Sequence, residues 1–211
     1  MPSAPGWKQN WHKRASRPLP RNPGGGGFLR LYKAVGLCYN GSRKGGDSMQ
    51  HHPLPEYPRP ALRRDSYENL NGLWQYAITG SAGLPAKWDG DILVPYSPET
   101  KASGVGRTLQ PGAWLHYHRS FVPPAGTGGR VLLHFGAVDY ACAVQVNGHL
   151  VGGHRGGYWP FALDITDALN PAGHDRLWVA VQDPTGTGVQ ARGKQTLRPG
   201  GMFYPAQSGI W

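Results

Sequence analysis

Residues 140–151 read YACAVQVNGHLV, and this stretch decides the fold. Its first seven residues alternate between two faces of an extended strand. Asn147-Gly148 follows, and this residue pair best accommodates the two positive φ angles of a two-residue hairpin turn. The next three residues return as a partner strand, so the stretch predicts an antiparallel hairpin. One face of its first strand carries Cys142, Val144 and Val146.

Period-2 alternation recurs on both sides of this hairpin, with almost no helical periodicity. The one helix-like piece, residues 161–169, is long enough for a single turn that Asp164 or Thr166 would cap. Short strands at this spacing predict an all-β fold, an antiparallel β-sandwich of the jelly-roll type. The other predicted strands are residues 72–78, 91–94, 114–122, 130–135 and 177–182.

The net charge of +10 belongs to the first part of the chain. Residues 1–48 hold nine Lys or Arg and one acid, whereas residues 49–211 hold thirteen Lys or Arg against eleven Asp or Glu. The domain-like part is therefore nearly neutral, and no nucleic-acid partner is expected for it.

Residues 1–50 show neither a strand nor a helix period, and Pro, Gly, Arg and Ser dominate them. Such a segment has too little apolar surface to offset the entropy lost on ordering. Three interpretations stay open: a disordered basic arm, a binding segment, or upstream translation ahead of a true start at Met49. Residues 51–211 are expected to form one domain.

Two cysteines, Cys38 and Cys142, lie on opposite sides of this boundary. Cys142 is expected to be a small buried hydrophobe, and a disulfide framework is not expected. No apolar run reaches a signal-peptide core or the ~18 residues of a membrane span. The sequence therefore predicts no membrane partner and favours a cytoplasmic location, while export stays open.

Several short motifs follow one another in order from about residue 53 to residue 211. Each is weak evidence by itself, but five or more in order over roughly 150 residues are specific. They include Leu70-Asn71-Gly72-Leu73-Trp74, Val94-Pro95-Tyr96, Tyr117-His118-Arg119-Ser120-Phe121, Val144-Gln145-Val146-Asn147-Gly148, Gly156-Gly157-Tyr158-Trp159-Pro160-Phe161, Arg192-Gly193-Lys194-Gln195 and Ser208-Gly209-Ile210-Trp211.

In this order the motifs resemble the amino-terminal sugar-binding domain of family 2 glycoside hydrolases, the family of β-galactosidases, β-glucuronidases and β-mannosidases. The resemblance implies a galactose-binding-like jelly roll, truncated at its carboxyl end, that contacts a carbohydrate and a catalytic (β/α)₈ barrel of the same protein. It implies no cofactor. It also places both catalytic glutamates of a retaining hydrolase on that barrel. This chain has only Glu56, Glu68 and Glu99, none in a barrel motif, so no catalytic residue is predicted.

In some relatives, the resemblance implies, loops of this domain reach the substrate. The corresponding segments here are residues 107–113 and 202–207, and the candidate substrate-binding residues are Gln110, Phe203, Tyr204 and Gln207. Several relatives carry an acid where this chain has Phe203, so an aromatic wall would replace a carboxylate hydrogen bond there. The alternative is that these aromatic side chains pack against the following domain.

Other polar and aromatic residues are expected to be structural. His116 and His118 share a strand face, but no carboxylate follows at cupin-like spacing, so no metal site is predicted. Trp159 is expected to anchor a loop, with an exposed sugar platform as the alternative. The acids expected to cap turns are Asp139, Asp164 and Asp183.

Three functions are therefore distinguished. The first is the non-catalytic amino-terminal domain of a glycosidase that hydrolyses O-glycosyl bonds, which shapes one side of a pocket on the barrel. The second is a free-standing carbohydrate-binding module. The third, which the charge distribution disfavours, is nucleic-acid binding through the basic arm.

Overall fold

The computed structural model describes residues 30–33, 67–123 and 129–211, and this part of the chain consists of strands, turns and two 3₁₀ turns. It is an all-β sandwich of the jelly-roll type, as the sequence predicts. The strands are β1 (Arg30–Lys33), β2 (Gly72–Thr79), β3 (Gly90–Val94), β4 (Trp114–Phe121), β5 (Val131–Phe135), β6 (Val138–Asp139), β7 (Ala141–Val146), β8 (His149–Arg155), β9 (Phe161–Asp164), β10 (Asp175–Gln182), β11 (Gln195–Thr196), β12 (Tyr204–Pro205) and β13 (Gly209–Ile210). The 3₁₀ turns are Lys101–Ser103 and Thr166–Ala168.

Six strands form the larger sheet in the order β3-β2-β4-β10-β7-β8, and all neighbours are antiparallel. The smaller sheet has the order β1-β5-β9, with β1 parallel and β9 antiparallel to β5. Near the end of the chain, β11 pairs in parallel with β12, and β13 pairs antiparallel with β6. The last strand is thereby fixed beside β6, which directly precedes β7.

The core forms where the alternating apolar faces of the two sheets meet. Trp74 is its largest side chain, and its indole N–H donates to the Leu70 carbonyl at 2.8 Å. Its ring meets the buried Tyr117 ring edge-on, with centroids 6.3 Å apart. This hydrogen bond avoids the cost of a buried, unpaired N–H group, so it adds to the stabilisation gained by burying the ring.

The hairpin predicted from residues 140–151 is confirmed. Asn147 and Gly148 have φ angles of 51° and 81°, and β7 pairs with β8 across them. The Asn147 side chain also ties the turn to β10, because its Oδ1 accepts the Arg176 N–H at 2.9 Å. Cys142, Val144 and Val146 all lie in the core, as predicted.

Three local predictions need correction or extension. The helix-like piece at residues 161–169 begins as strand β9, because its first four residues complete the edge of the smaller sheet beside β5. β8 extends to Arg155 rather than ending at residue 151. Within the predicted arm, Arg30–Lys33 forms β1, and the rest of residues 1–50 lies outside the described residues.

His116 is fully buried, although it lies on the strand face opposite the core residues of β4. The turn after β2 covers it: its Nε2 lies 2.9 Å from the Thr79 Oγ1 and 3.1 Å from the Ser81 carbonyl oxygen. Its ring stacks on Trp178 at 5.7 Å between centroids. Burial, partly opposed by the Ser81 contact, lowers the pKa of His116.

Candidate functional site

The last seventeen residues form a folded segment at one end of the sandwich. β11 and β12 bring Gln195 opposite Tyr204, and β13 returns the chain to β6. The Ile210 N–H donates to the Tyr117 hydroxyl at 3.3 Å, which fixes the end of the segment to the core. The segment is thus a surface loop held at both of its ends.

The structure places all four sequence-predicted substrate-binding residues on the surface. Phe203 and Tyr204 are 51% and 65% exposed. Gln110 is exposed, and its side-chain amide donates to the Thr108 carbonyl at 3.4 Å. Gln207 is exposed too, and its backbone N–H donates to the Gln195 Oε1 at 2.7 Å.

One carboxylate joins the two predicted substrate loops. Glu99 Oε1 accepts the Leu109 N–H at 3.1 Å, and Glu99 Oε2 accepts the Ser208 N–H at 3.1 Å. Leu109 directly precedes Gln110, and Ser208 directly follows Gln207. The chain around Gln110 and the chain around Gln207 are therefore neighbours.

Three further aromatic side chains are exposed: Tyr158 and Trp159, which precede β9, and Trp211 at the end of this segment. Trp159 is 71% exposed, so the expectation of a buried loop anchor is wrong. Tyr158 and Trp211 are also exposed and meet edge-on, with centroids 6.3 Å apart. We call these three residues, together with Phe203 and Tyr204, the aromatic surface.

Gln195 connects this surface to the loops, and sequence reasoning gave it no role. Its Nε2 donates to the Asp139 carboxylate at 3.1 Å and lies 3.4 Å from the Tyr158 hydroxyl, while its Oε1 accepts from Gln207. The only sequence signal was its place in the Arg192-Gly193-Lys194-Gln195 motif. Its partners come from three separate segments, which no local pattern indicates.

The buried acid Asp139 lies beneath this surface, against Gly157 and Gln195. Burial raises the pKa of Asp139 to about 6, and the charge of Asp183 adds to the effect. Burial also raises the pKa of Asp183, whose carboxylate accepts the Thr185 N–H at 2.7 Å and the Thr185 hydroxyl at 3.1 Å. Asp164 accepts the Thr166 N–H in the same way, at 3.1 Å. Asp164 and Asp183 thus have the turn-stabilising role expected of them.

Among the described residues, the two histidines of β4 are held by neighbouring side chains. No group of three His, Cys, Asp or Glu there could hold a metal ion. His118 Nδ1 lies 3.0 Å from Gln75 Oε1, and its ring stacks on Trp88 at 5.4 Å. No helix in the described part of the chain is long and apolar enough to cross a membrane.

No family model matches the chain, but individual proteins do. It is 28% identical to a β-glucuronidase of Paenibacillus borealis over 152 residues, which cover 68% of this chain and 24% of that protein. It is 29% identical to the β-glucuronidase of Felis catus over 167 residues, 70% of this chain and 24% of that one. A β-galactosidase of Thermoanaerobacter pseudethanolicus is 38% identical over 86 residues, 40% of this chain and 11% of the relative.

Among solved structures, a Bifidobacterium dentium β-glucuronidase complexed with coumarin-3-O-glucuronide aligns with 32% identity and a TM-score of 0.45. The alignment covers 54% of this chain and 19% of that one. The chain thus spans about a quarter of the length of the curated β-glucuronidases that it matches.

Proposed function

We propose that this chain is the non-catalytic amino-terminal domain of a family 2 glycoside hydrolase, a glycosidase that hydrolyses O-glycosyl bonds. The observation that carries the proposal is the aromatic surface, with the two predicted substrate loops tied together beside it. Exposed aromatic rings stack on the apolar faces of sugars, and exposed amides such as Gln110 and Gln207 bind hydroxyl groups.

The carboxylates of the described residues support a non-catalytic role. A retaining glycosidase needs two carboxyl groups about 5 Å apart across an open cleft. Glu99 is engaged by the chain around Leu109 and Ser208, and Glu68 is half-buried beside Arg119, which opposes the rise in its pKa caused by burial. Glu56 lies outside the described residues. Neither described glutamate faces an open cleft as a free acid or nucleophile would.

The proposed substrate class is β-glucuronides, because β-glucuronidases are prominent among the relatives. A glucuronide differs from a neutral β-glycoside by one carboxylate, which cations recognise. Arg192, Lys194 and Arg198 flank β11, the strand that pairs with β12 and thus with Tyr204. In this proposal they attract the acidic sugar while a catalytic barrel supplies the chemistry.

The parent activity is tested by hydrolysis of 4-nitrophenyl β-glucuronide. We expect the 211-residue chain to be inactive, and a product extended by its downstream coding sequence to be active on the glucuronide and less active on the galactoside. A stop codon directly after Trp211 in intact genomic sequence would contradict the proposal. It would favour the second candidate, a free-standing carbohydrate-binding module, which the exposed aromatic surface also supports.

Removing the two candidate aromatic rings is expected to weaken sugar binding by the 211-residue chain. Stacking contributes about 0.5–1.5 kcal/mol per ring, so Phe203→Ala with Tyr204→Ala should weaken millimolar binding of methyl β-glucuronide at least about fivefold. The measurement is a chemical-shift titration by NMR. Leu84→Ala is the control, because Leu84 is equally exposed but lies on the turn after β2. Equal affinities for the double variant and the wild type would remove these two residues from the proposed site.

A further inference from the structure

The Glu99 carboxylate lies between the two loops and accepts four hydrogen bonds. Besides the Leu109 and Ser208 N–H groups, it accepts the Ser208 hydroxyl at 2.7 Å and the Ser97 hydroxyl. Both of its oxygens therefore accept two hydrogen bonds. Only an ionised carboxylate can do this, since a carboxamide has one accepting oxygen and presents N–H donors on the other side.

The Asp139 carboxylate likewise connects separate segments, beneath the aromatic surface. Its carboxylate holds the Gln195 amide, which in turn holds the Gln207 N–H and approaches the Tyr158 hydroxyl. It also lies against the backbone of Gly157, where an added Cβ would overlap the carboxylate. Asp139 is thus packed between the segment that carries Tyr158 and the segment that carries Gln207.

From these contacts we propose that Glu99 and Asp139 are positioning residues for the sugar-facing surface. Glu99 fixes the Gln110 loop against the Gln207 segment. Asp139, acting through Gln195, fixes Gln207 relative to Tyr158. The inference deepens the proposed function and rests on it for the identity of the ligand, but the loop geometry that it describes can be measured without any sugar.

The Asp139 contact is expected to depend on pH. The charged groups that face Asp139 are carboxylates, Asp183 and Glu99, and the Gln195 amide is its hydrogen-bond donor. Because its pKa is about 6, Asp139 is neutral at pH 5 and ionised at pH 7. A hydrogen bond to a carboxylate is roughly twice as strong as one to a neutral group, so Gln195 is held more firmly above pH 6.

The experiment measures backbone amide exchange by NMR on the 211-residue chain at pH 7, and the first variant is Glu99→Gln. It should accelerate exchange by at least about tenfold at Leu109 or at Ser208, whichever amide faces the new NH₂ group, because a donor replaces the accepting oxygen there. Exchange in the core strand β10 should rise much less. Asp91→Asn is the control for the loss of one negative charge, since Asp91 is exposed on β3.

The second measurement follows exchange at Gln207 in the wild type and in Asp139→Asn, from pH 5 to pH 7.5, after correction for the intrinsic rate. The wild type should gain protection of a few-fold with a midpoint near pH 6, and the variant should show no such step. The wild-type profile does not depend on whether a variant folds.

Two outcomes would overturn the inference: exchange unchanged at both Leu109 and Ser208 in Glu99→Gln, or no step at Gln207 in the wild type. Uniform acceleration of all amides in Glu99→Gln would also count against a local positioning role. The expected exchange pattern without any glucuronide binding by the wild type would support the loop positioning and refute the sugar-binding part of the proposed function.

Discussion

Replacing Gly209 with alanine is expected to lower the free energy of unfolding by about 3–6 kcal/mol. Gly209 has a φ of 89°, which costs an alanine about 1–2 kcal/mol. A Cβ there would overlap the Tyr117 hydroxyl and come within 3.2 Å of the Leu115 side chain, and overpacking of a core adds about 1–3 kcal/mol. Relieving this overlap would move β13 away from Tyr117. That movement would weaken the hydrogen bond from the Ile210 N–H to the Tyr117 hydroxyl, which contributes about 1 kcal/mol.

Gly112→Ala separates the conformational cost from the cost of overpacking, because Gly112 has nearly the same φ of 87° but open space around it. In this variant the free energy of unfolding should fall only by the conformational cost of the positive φ, about 1–2 kcal/mol. Urea unfolding at pH 7, followed by tryptophan fluorescence, measures both variants. Equal losses would show that β13 does not pack against Tyr117 as the structure describes.

The second large effect concerns Asp139→Asn and its dependence on pH. A carboxyl group whose pKa is raised in the folded state binds its proton more tightly there than in the unfolded chain, so it stabilises the fold at low pH. That stability is lost as the pH rises from the ordinary value of 3.8 to about 6. At 1.36 kcal/mol per pKa unit, the loss amounts to at most about 3 kcal/mol.

Asparagine has no charge to lose and can still accept from Gln195 through its carbonyl oxygen. The variant should therefore match the wild type near pH 4 and exceed it by up to about 3 kcal/mol at pH 7. Because Asp183 and Asp164 also titrate, the quantity to measure is the difference between the two proteins in urea at each pH. Asp91→Asn is again the control, and a difference that does not change with pH would contradict the raised pKa of Asp139.

Two acids at this end of the sandwich are expected to respond differently to the loss of their charge. Asp139 is desolvated by burial and repelled by neighbouring carboxylates, so removing its charge is expected to stabilise the protein at neutral pH. Glu99 is held by four donors, so removing its charge is expected to loosen the loops around it. Two isosteric substitutions of a carboxylate by a carboxamide should therefore act in opposite directions.

The larger sheet could be predicted because each of its strands has a local sequence pattern. Alternation over five to eight residues indicates which side chains share a face, and Asn147-Gly148 indicates where the chain reverses. These signals involve residues a few positions apart, so they are readable before any tertiary contact is known. Even so, β9 was not predicted, because its pairing with β5 and not its own pattern makes it a strand.

The candidate site was predictable only in part. Gln110, Phe203, Tyr204 and Gln207 were placed by resemblance, and the structure shows them exposed, although their role in binding stays a prediction. Gln195 and the exposure of Trp159 were missed. Exposure depends on what neighbouring segments leave uncovered, and no property of the Trp-Pro pair itself indicates it.

The sequence by itself determined the strands of the larger sheet, the hairpin, the near-neutral charge of the domain and the order of its motifs, because all of these depend on residue type and short spacing. Only the tertiary structure decided that Glu99 meets Ser208, 109 positions away, and that Asp139 lies among carboxylates. It also decided that His116 is buried by a turn and not exposed on its strand face. The physical reason is the same in each case: burial and charge environment are set by packing between distant segments, which local periodicity does not encode.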